Sequence, residues 1–433
     1  EAREEAGPPV CPLPGVAASG PIPRSRDIHS TGRNAHEAAP LLLALPASSA
    51  PSAAPPTQVW IDVATHHMAG MPDMGALGGL AKMMGGGGGQ LQWPDTRYPT
   101  GNGRFLDVAL LNRLDPGKPA EQQVPAGLGL GSALPLLPPP VRPQAPHARR
   151  PGQDMSRPRD GEMRMLFYWG CGSEVRPGQP REFVVRVKDG KVDVSGDPQQ
   201  GRYAPDRDID PDSSYALWPN REVRKRAPAN ASLVGTHRIT GAGVPGSLQF
   251  ELGRSADFMP AIALSSSGSP ATGLDLRWQP VDNAKAYFLH AVGNRGSDMV
   301  MWSSAEVPDA GQGVMQYLTG ATVDRWIGEK VLLPPSTTAC VIPKGIFQDA
   351  GMLSMMAYGP ETNIAYPPRP ADPKQPWNPE WSVRVRSKST TSAILGMDLS
   401  GAMPQDDDGR RTDREQPEES AAKKLLKGLL RNR

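Results

Sequence analysis

The chain has 433 residues, of which 49 are Pro and 47 are Gly, so more than a fifth of its positions interrupt regular structure and a mostly helical fold is excluded. A hydrophobic fraction of 38% and an aromatic fraction of 6% point to packed modules diluted by segments that cannot build a core. Lys plus Arg total 47 against 45 Asp plus Glu, a formal charge of +2 that argues against a dedicated nucleic-acid binder, and no apolar run approaches the ~18 residues of a membrane span.

Residues 1–58 are rich in Ala, Pro and Ser without helical or alternating periodicity and read as a disordered tail. Inside it, Arg33, then Leu41-Leu42-Leu43-Ala44-Leu45, then the small residues from Pro46 to Pro56 follow the basic, apolar, small order of a secretory signal. Ordered-looking sequence starts directly afterwards at Val59-Trp60-Ile61-Asp62-Val63, which favours a periplasmic or secreted protein.

Residues 59–134 carry short β-prone runs, Trp60 to Thr65 and Arg104 to Leu110, around a Met/Gly-rich flap. The flap opens with His66-His67-Met68-Ala69-Gly70-Met71-Pro72-Asp73-Met74 and continues through Met83-Met84 into Gly85 to Gly89. Thioether and imidazole are the ligands that copper selects, so His66, His67, Met68, Met71 and Met74 are the candidate metal ligands; the competing reading is an adaptable apolar flap that needs no metal. No other cofactor is indicated. Gly85 to Gly89 leads into Gln90-Leu91 rather than the Lys and Ser or Thr of a phosphate-binding loop.

Residues 135–160 combine Pro138-Pro139-Pro140 with Arg142, Arg149, Arg150, Arg157 and Arg159 and read as a linker, without the interleaved aromatics that nucleic-acid binding requires. The next module, 161–265, contains strand-length runs at Leu166 to Trp169, Leu233 to Ile239, Leu248 to Leu252 and Phe258 to Leu264. Its clearest feature is Glu182 to Lys188, Asp189-Gly190, Lys191 to Ser195: alternating apolar and charged residues around an Asp-Gly pair predict a hairpin with a type I′ turn. Asp206, Asp208, Asp210 and Asp212 resemble the start of a calcium loop, but its sixth and twelfth positions are Pro211 and Leu217, so an exposed turn is the expectation.

The last β module spans 273–388. Leu274-Asp275-Leu276-Arg277-Trp278 alternates, Gln279-Pro280 ends the run, and Ala286-Tyr287-Phe288-Leu289-His290-Ala291-Val292 follows, with Leu353 to Ala357 and Ser382 to Arg386 as the closing strands. This pattern resembles a fibronectin type III domain, which implies a sandwich with the Trp278 indole between two sheets and a binding or structural role. The segment Met163 to Pro180, with Leu166-Phe167-Tyr168-Trp169-Gly170-Cys171-Gly172, is similar to uncharacterised exported proteins of proteobacteria, a resemblance that carries no activity.

Residues 389–416 read as a second linker, and 417–433 as a short amphipathic helix in which Leu425, Leu426, Leu429 and Leu430 share a face flanked by Lys423, Lys424, Lys427 and Arg431. Such a helix suits contact with an anionic membrane surface or an envelope protein. With Cys11 in the tail, Cys171 and Cys340 are left either as a bridge in an oxidising compartment or as two buried thiols.

The sequence has neither a Gly-x-Ser-x-Gly elbow nor a His-Glu-x-x-His helix, and His237 and His290 read as structural. The expected fold is mainly β, two β-sandwich-like modules of the immunoglobulin/fibronectin III-like kind with long disordered segments and a short C-terminal amphipathic helix. The expected function is that of a non-catalytic exported envelope protein, structural or binding. The alternatives are a periplasmic copper-binding protein using the His/Met cluster and a hydrolase with dispersed catalytic residues.

Overall fold

A computed structural model describes residues 54–70, 93–97, 101–140, 160–196, 201–223, 225–311, 313–348, 351–372, 374–396 and 399. Its spine is a ten-stranded sheet in the order β7 (Lys191–Ser195), β6 (Arg181–Lys188), β5 (Gly161–Trp169), β14 (Asp298–Ser303), β13 (Ala286–Arg295), β16 (Met352–Tyr366), β17 (Trp381–Ile394), β1 (Thr57–Met68), β2 (Gly103–Asn112) and β8 (Tyr215–Trp218). A four-stranded sheet runs β10 (Gln249–Leu252), β9 (Gly235–Gly241), β3 (Ala120–Gln123), β4 (Ala133–Leu136), and a three-stranded sheet runs β11 (Leu264–Ser269), β12 (Gly273–Trp278), β15 (Ala339–Ile342).

Both small sheets pack on the same face of the large one. Register places Val59, Ile61 and Val63 of β1 beside Val383 and Val385 of β17, and these side chains share a core with Leu134, Leu136, Ile239, Phe250 and Leu252 of the four-stranded sheet. Further along that face, Tyr287, Leu289, Val300, Trp302, Leu353 and Met355 meet Leu264, Leu274, Leu276, Trp278 and Ile342 of the three-stranded sheet. The fold is thus mainly β and sandwich-like at two places, with the ten-stranded sheet as the common layer. Trp278 is buried in the second core, edge-on to Tyr287 at 5.5 Å between ring centroids.

The two sandwiches are not consecutive in sequence. β1 lies parallel to β17 and β5 parallel to β14, so strands from both sides of residues 265–273 share one sheet. The reason is physical: parallel pairs cannot be joined by a hairpin and draw on distant segments, and short-range patterning carries no trace of them.

Local expectations met different outcomes for identifiable reasons. The hairpin stands as expected, with Asp189 at φ 51° and Gly190 at φ 73°, the positive pair that its turn demands. The expected strand from Phe258 to Leu264 begins only at Leu264. Phe258 lies in one core and Met259 and Ile262 in the other, so this apolar run plugs two cores instead of pairing. The linker expected from Pro135 starts inside β4, an edge strand where a residue without an N–H is tolerated. Similarly, β1 opens at Thr57, within the expected tail.

A helix that the strand-directed reading passed over, α1 (Gly320–Gly328), is capped by Thr319, whose hydroxyl accepts the Thr322 N–H at 3.2 Å, and buries Val323 and Trp326 against the opposite face of the large sheet. Among the described residues no helix is long and apolar enough to cross a membrane.

Candidate functional site

The sequence-predicted site residues fall in three groups. His66 and His67 are consecutive on β1 and therefore point to opposite faces of the sheet. His66 is buried, with Nδ1 2.7 Å from Thr390 Oγ1, and burial, aided by His67 and Lys388, lowers it to about 4, so its imidazole is neutral at pH 7. Met68 donates its backbone N–H to Asn102 Oδ1 at 2.7 Å. The structure therefore does not bring His66 and His67 to one point, and no group of three His, Cys, Asp or Glu among the described residues could hold a metal. Met71 and Met74 lie outside the described residues, as do Lys423, Lys424, Leu425, Leu426, Lys427, Leu429, Leu430 and Arg431.

Cys171 and Cys340 are joined as a disulfide, with sulfurs 2.11 Å and Cα atoms 5.1 Å apart. Cys171 follows β5 and Cys340 sits on β15, so the bond ties the large sheet to the three-stranded one. Beside it the Gly172 N–H donates to the Val341 carbonyl at 2.9 Å. His237 and His290 are both withdrawn from solvent. His237 bridges the Leu233 carbonyl at 2.8 Å and the Gln122 amide at 3.1 Å, and burial pulls His290 down to about 4.

Sequence reasoning missed a buried charge network on the face of the large sheet opposite the small sheets. Asp62 of β1, Asp107 of β2, and Arg384, Arg386 and Lys388 of β17 all point there, as the pairing Asp62 to Asp107 and Asp62 to Arg386 dictates. Arg386 gives Nε to Asp62 Oδ1 at 2.7 Å and Nη2 to Oδ2 at 2.5 Å, a planar fork, and Nη2 also reaches Asp208 Oδ1 at 2.8 Å. Arg97 pairs with the other Asp208 oxygen at 3.2 Å.

The Arg386 guanidinium lies 4.5 Å over the Tyr317 ring and Lys388 Nζ lies 4.4 Å from the same ring, whose hydroxyl donates to the Val63 carbonyl. Burial would lower Arg386, but the Asp62 carboxylate holds it above its ordinary value. Lys388, buried without so close a carboxylate, falls to about 8. Asp107 is pushed up to about 7 by burial, against the Thr96 hydroxyl at 2.6 Å and the Asp95 and Thr96 N–H groups at 2.8 Å.

This network takes in one member of the aspartate run, and two others make local turns. Asp208 serves Arg386 and Arg97, Asp206 accepts the Asp208 N–H at 3.1 Å, and Asp212 accepts the Ser214 N–H at 2.8 Å. A usable signal did exist: Asp62 and Asp107 each stand inside an otherwise apolar strand, and a carboxylate so placed requires either a cation, as Asp62 has, or several hydrogen-bond donors, as Asp107 has. The segment Arg384-Val385-Arg386-Ser387-Lys388 supplies the cation that Asp62 needs.

The network borders an open groove of about 670 Å³. Its walls include Pro55, Ile364, Pro368, Trp377 and Pro379, and Arg384 lines it from β17. Arg369 lies 5.6 Å over the Trp377 ring, whose Nε1–H donates to the Pro367 carbonyl at 2.9 Å. Arg384 donates Nη1 to the Arg207 carbonyl at 2.9 Å, while its Nε and Nη2 are buried with no hydrogen-bond partner. Burial, reinforced by Arg386, lowers this guanidinium to about 10, so it is charged at neutral pH. An aromatic and proline wall with Arg369 and Arg384 among its neighbours can hold a ligand in place. The chain matches no protein-family model and no curated protein.

Proposed function

We propose that this chain is a non-catalytic exported envelope protein with a binding role, exercised through its β-sandwich body and the groove on its second face. The observation that carries the reading is the Cys171–Cys340 disulfide, a bond that persists in the periplasm or outside the cell and is reduced in the cytosol. The groove supports the binding half of the reading. Its volume falls in the range of small-molecule clefts, and its lining offers apolar contact and the basic residues Arg369 and Arg384, while Asp62, Asp208 and Arg386 behind it are committed to one another. Attachment through the amphipathic sequence 417–433 to an anionic membrane surface or an envelope protein belongs to the same proposal.

The test is fractionation of producing cells combined with thiol alkylation in the intact compartment. The expected result is a periplasmic or secreted chain whose Cys171 and Cys340 react only after reduction. A cytosolic chain with both thiols reactive from the start would contradict the proposal.

A further inference from the structure

The ten-stranded sheet ends differently at its two sides. At β8, Leu217 and Leu137 exchange backbone N–H to carbonyl hydrogen bonds at 2.8 and 3.1 Å, so the chain covers that edge itself. At the other side, no strand among the described residues pairs with the outer edge of β7, and all five of its residues are exposed. The Asp189-Gly190 turn sets which backbone groups face outward. Lys188 and Lys191 close it as a pair, so Lys191 and Asp193 direct their N–H and C=O groups to β6, while Val192 and Val194 direct theirs to solvent. Another chain can reach this edge, and β7 carries neither the proline nor the bulge that blocks strand addition.

The two faces of the edge specify its occupant. Val192 and Val194, 55% and 54% exposed, lie beside Val187 and Val185 on one face, with Met163 next to Val185. The opposite face is charged, and its signs alternate across the strands: Glu162 pairs with Arg186 at 2.7 Å, and Arg186 stands opposite Asp193. The next strand in that row must offer a cation. β7 itself does so: when two β7 strands pair antiparallel about a two-fold axis at Val192, Asp193 of each copy stands opposite Lys191 of the other. On the apolar face Val192 then meets Val192, and the outward N–H and C=O groups of these two residues satisfy each other. A two-fold axis at Asp193 would oppose Asp193 to Asp193, and a one-residue slip would set apolar against charged positions. We infer that β7 is a self-association edge through which a second copy of this chain extends the large sheet. An edge of five residues is small beside the interfaces of permanent dimers, so the association is reversible.

The experiment is sedimentation velocity of the full chain over a concentration series, beside Lys191→Glu, Asp193→Lys, the double variant Lys191→Glu/Asp193→Lys and Val192→Pro. Thermal unfolding at low concentration checks the fold of each variant. The parent is expected to show a monomer–dimer equilibrium, and Lys191→Glu, which opposes like charges at both pairs, to weaken it about tenfold. The double variant restores the dimer, and so does an equal mixture of the two single variants, because opposite charges face each other again. Val192→Pro removes the central outward N–H without taking a bond from β6 and abolishes the dimer.

A parent that stays monomeric up to about 1 mM overturns the inference. So does a dimer that survives every folded variant, which places the contact elsewhere. A dimer lost in Val192→Pro but unaffected by Lys191→Glu overturns the two-fold register. Should Asp193→Lys, which faces Arg186 within the hairpin, or Val192→Pro fail to fold, Lys191→Glu decides alone, since its position faces Lys188 and the change relieves a like-charge pair.

Discussion

Arg386 and Asp62 form a two-pronged ion pair, Nε to Oδ1 at 2.7 Å and Nη2 to Oδ2 at 2.5 Å, between parallel strands 324 residues apart in the chain. The pair fastens the last strand of the sheet to the first. Its guanidinium side chain is 4% exposed, so solvent contributes little to its stabilisation and the partners depend on each other.

Removing one partner of this pair therefore strands the other. Asp62→Ala leaves Arg386 with Asp208 alone and is expected to cost about 3–5 kcal/mol of unfolding free energy. An Asp62→Leu/Arg386→Met double substitution is expected to recover most of that loss, because it removes both buried charges. Urea unfolding midpoints decide the matter: a double variant as unstable as the sum of the two single ones contradicts the prediction.

The buried titratable groups predict opposite pH slopes. Lys388 has its folded-state value lowered to about 8 from 10.5, so between those values the unfolded chain holds a proton that the folded chain lacks, and stability rises with pH across that window. Asp107 is raised from 3.8 to about 7, so the folded chain holds the extra proton there and stability falls as pH rises through that window. Lys388→Met is expected to flatten the first slope and Asp107→Asn the second, each read as the difference from the unsubstituted chain in denaturant midpoints across pH. Unchanged slopes would show that these groups titrate as they do in water.

The β6–β7 hairpin should be locally fragile. Gly190→Ala places a side chain at φ 73° and is expected to cost about 1 kcal/mol, felt mainly by β7, all five of whose residues are exposed. Hydrogen exchange of the β7 amides should quicken while the global unfolding midpoint hardly moves. A large global shift would mean that the hairpin is built into the core.

Cys171 and Cys340 close a span of 169 residues. On chain entropy, their replacement by Ser is expected to cost up to about 5 kcal/mol. Guanidinium unfolding of the double Ser variant against the oxidised parent measures it. Equal midpoints would place the unfolded-state constraint elsewhere.

What was legible in the sequence was local. Asp189-Gly190 between alternating Val and charged residues specifies its hairpin because turn chemistry and strand period act over neighbouring residues. The run Phe258 to Leu264 misled because burial in two cores and burial in a strand produce the same apolar composition. Arg384, Arg386 and Lys388 alternate with Val385 and Ser387, which is also how a solvated strand face reads. Only the parallel neighbour carrying Asp62, together with Tyr317 laid across the cations, makes that face an interior. Of the site residues the sequence suggested, the two cysteines meet and the two histidines diverge, because adjacent strand positions face opposite ways.

The central claim is that Arg386 is satisfied within the fold by the Asp62 carboxylate of the parallel strand. Nitrogen-15 correlation spectra of the arginine Nε–H groups test it most directly, with Arg386→Lys used for assignment. The expected result is an Arg386 Nε–H that is shifted and slow to exchange, and that Asp62→Asn returns toward the position and exchange rate of an exposed arginine. An Arg386 signal that exchanges freely in the unsubstituted chain, or that ignores Asp62→Asn, would contradict the claim.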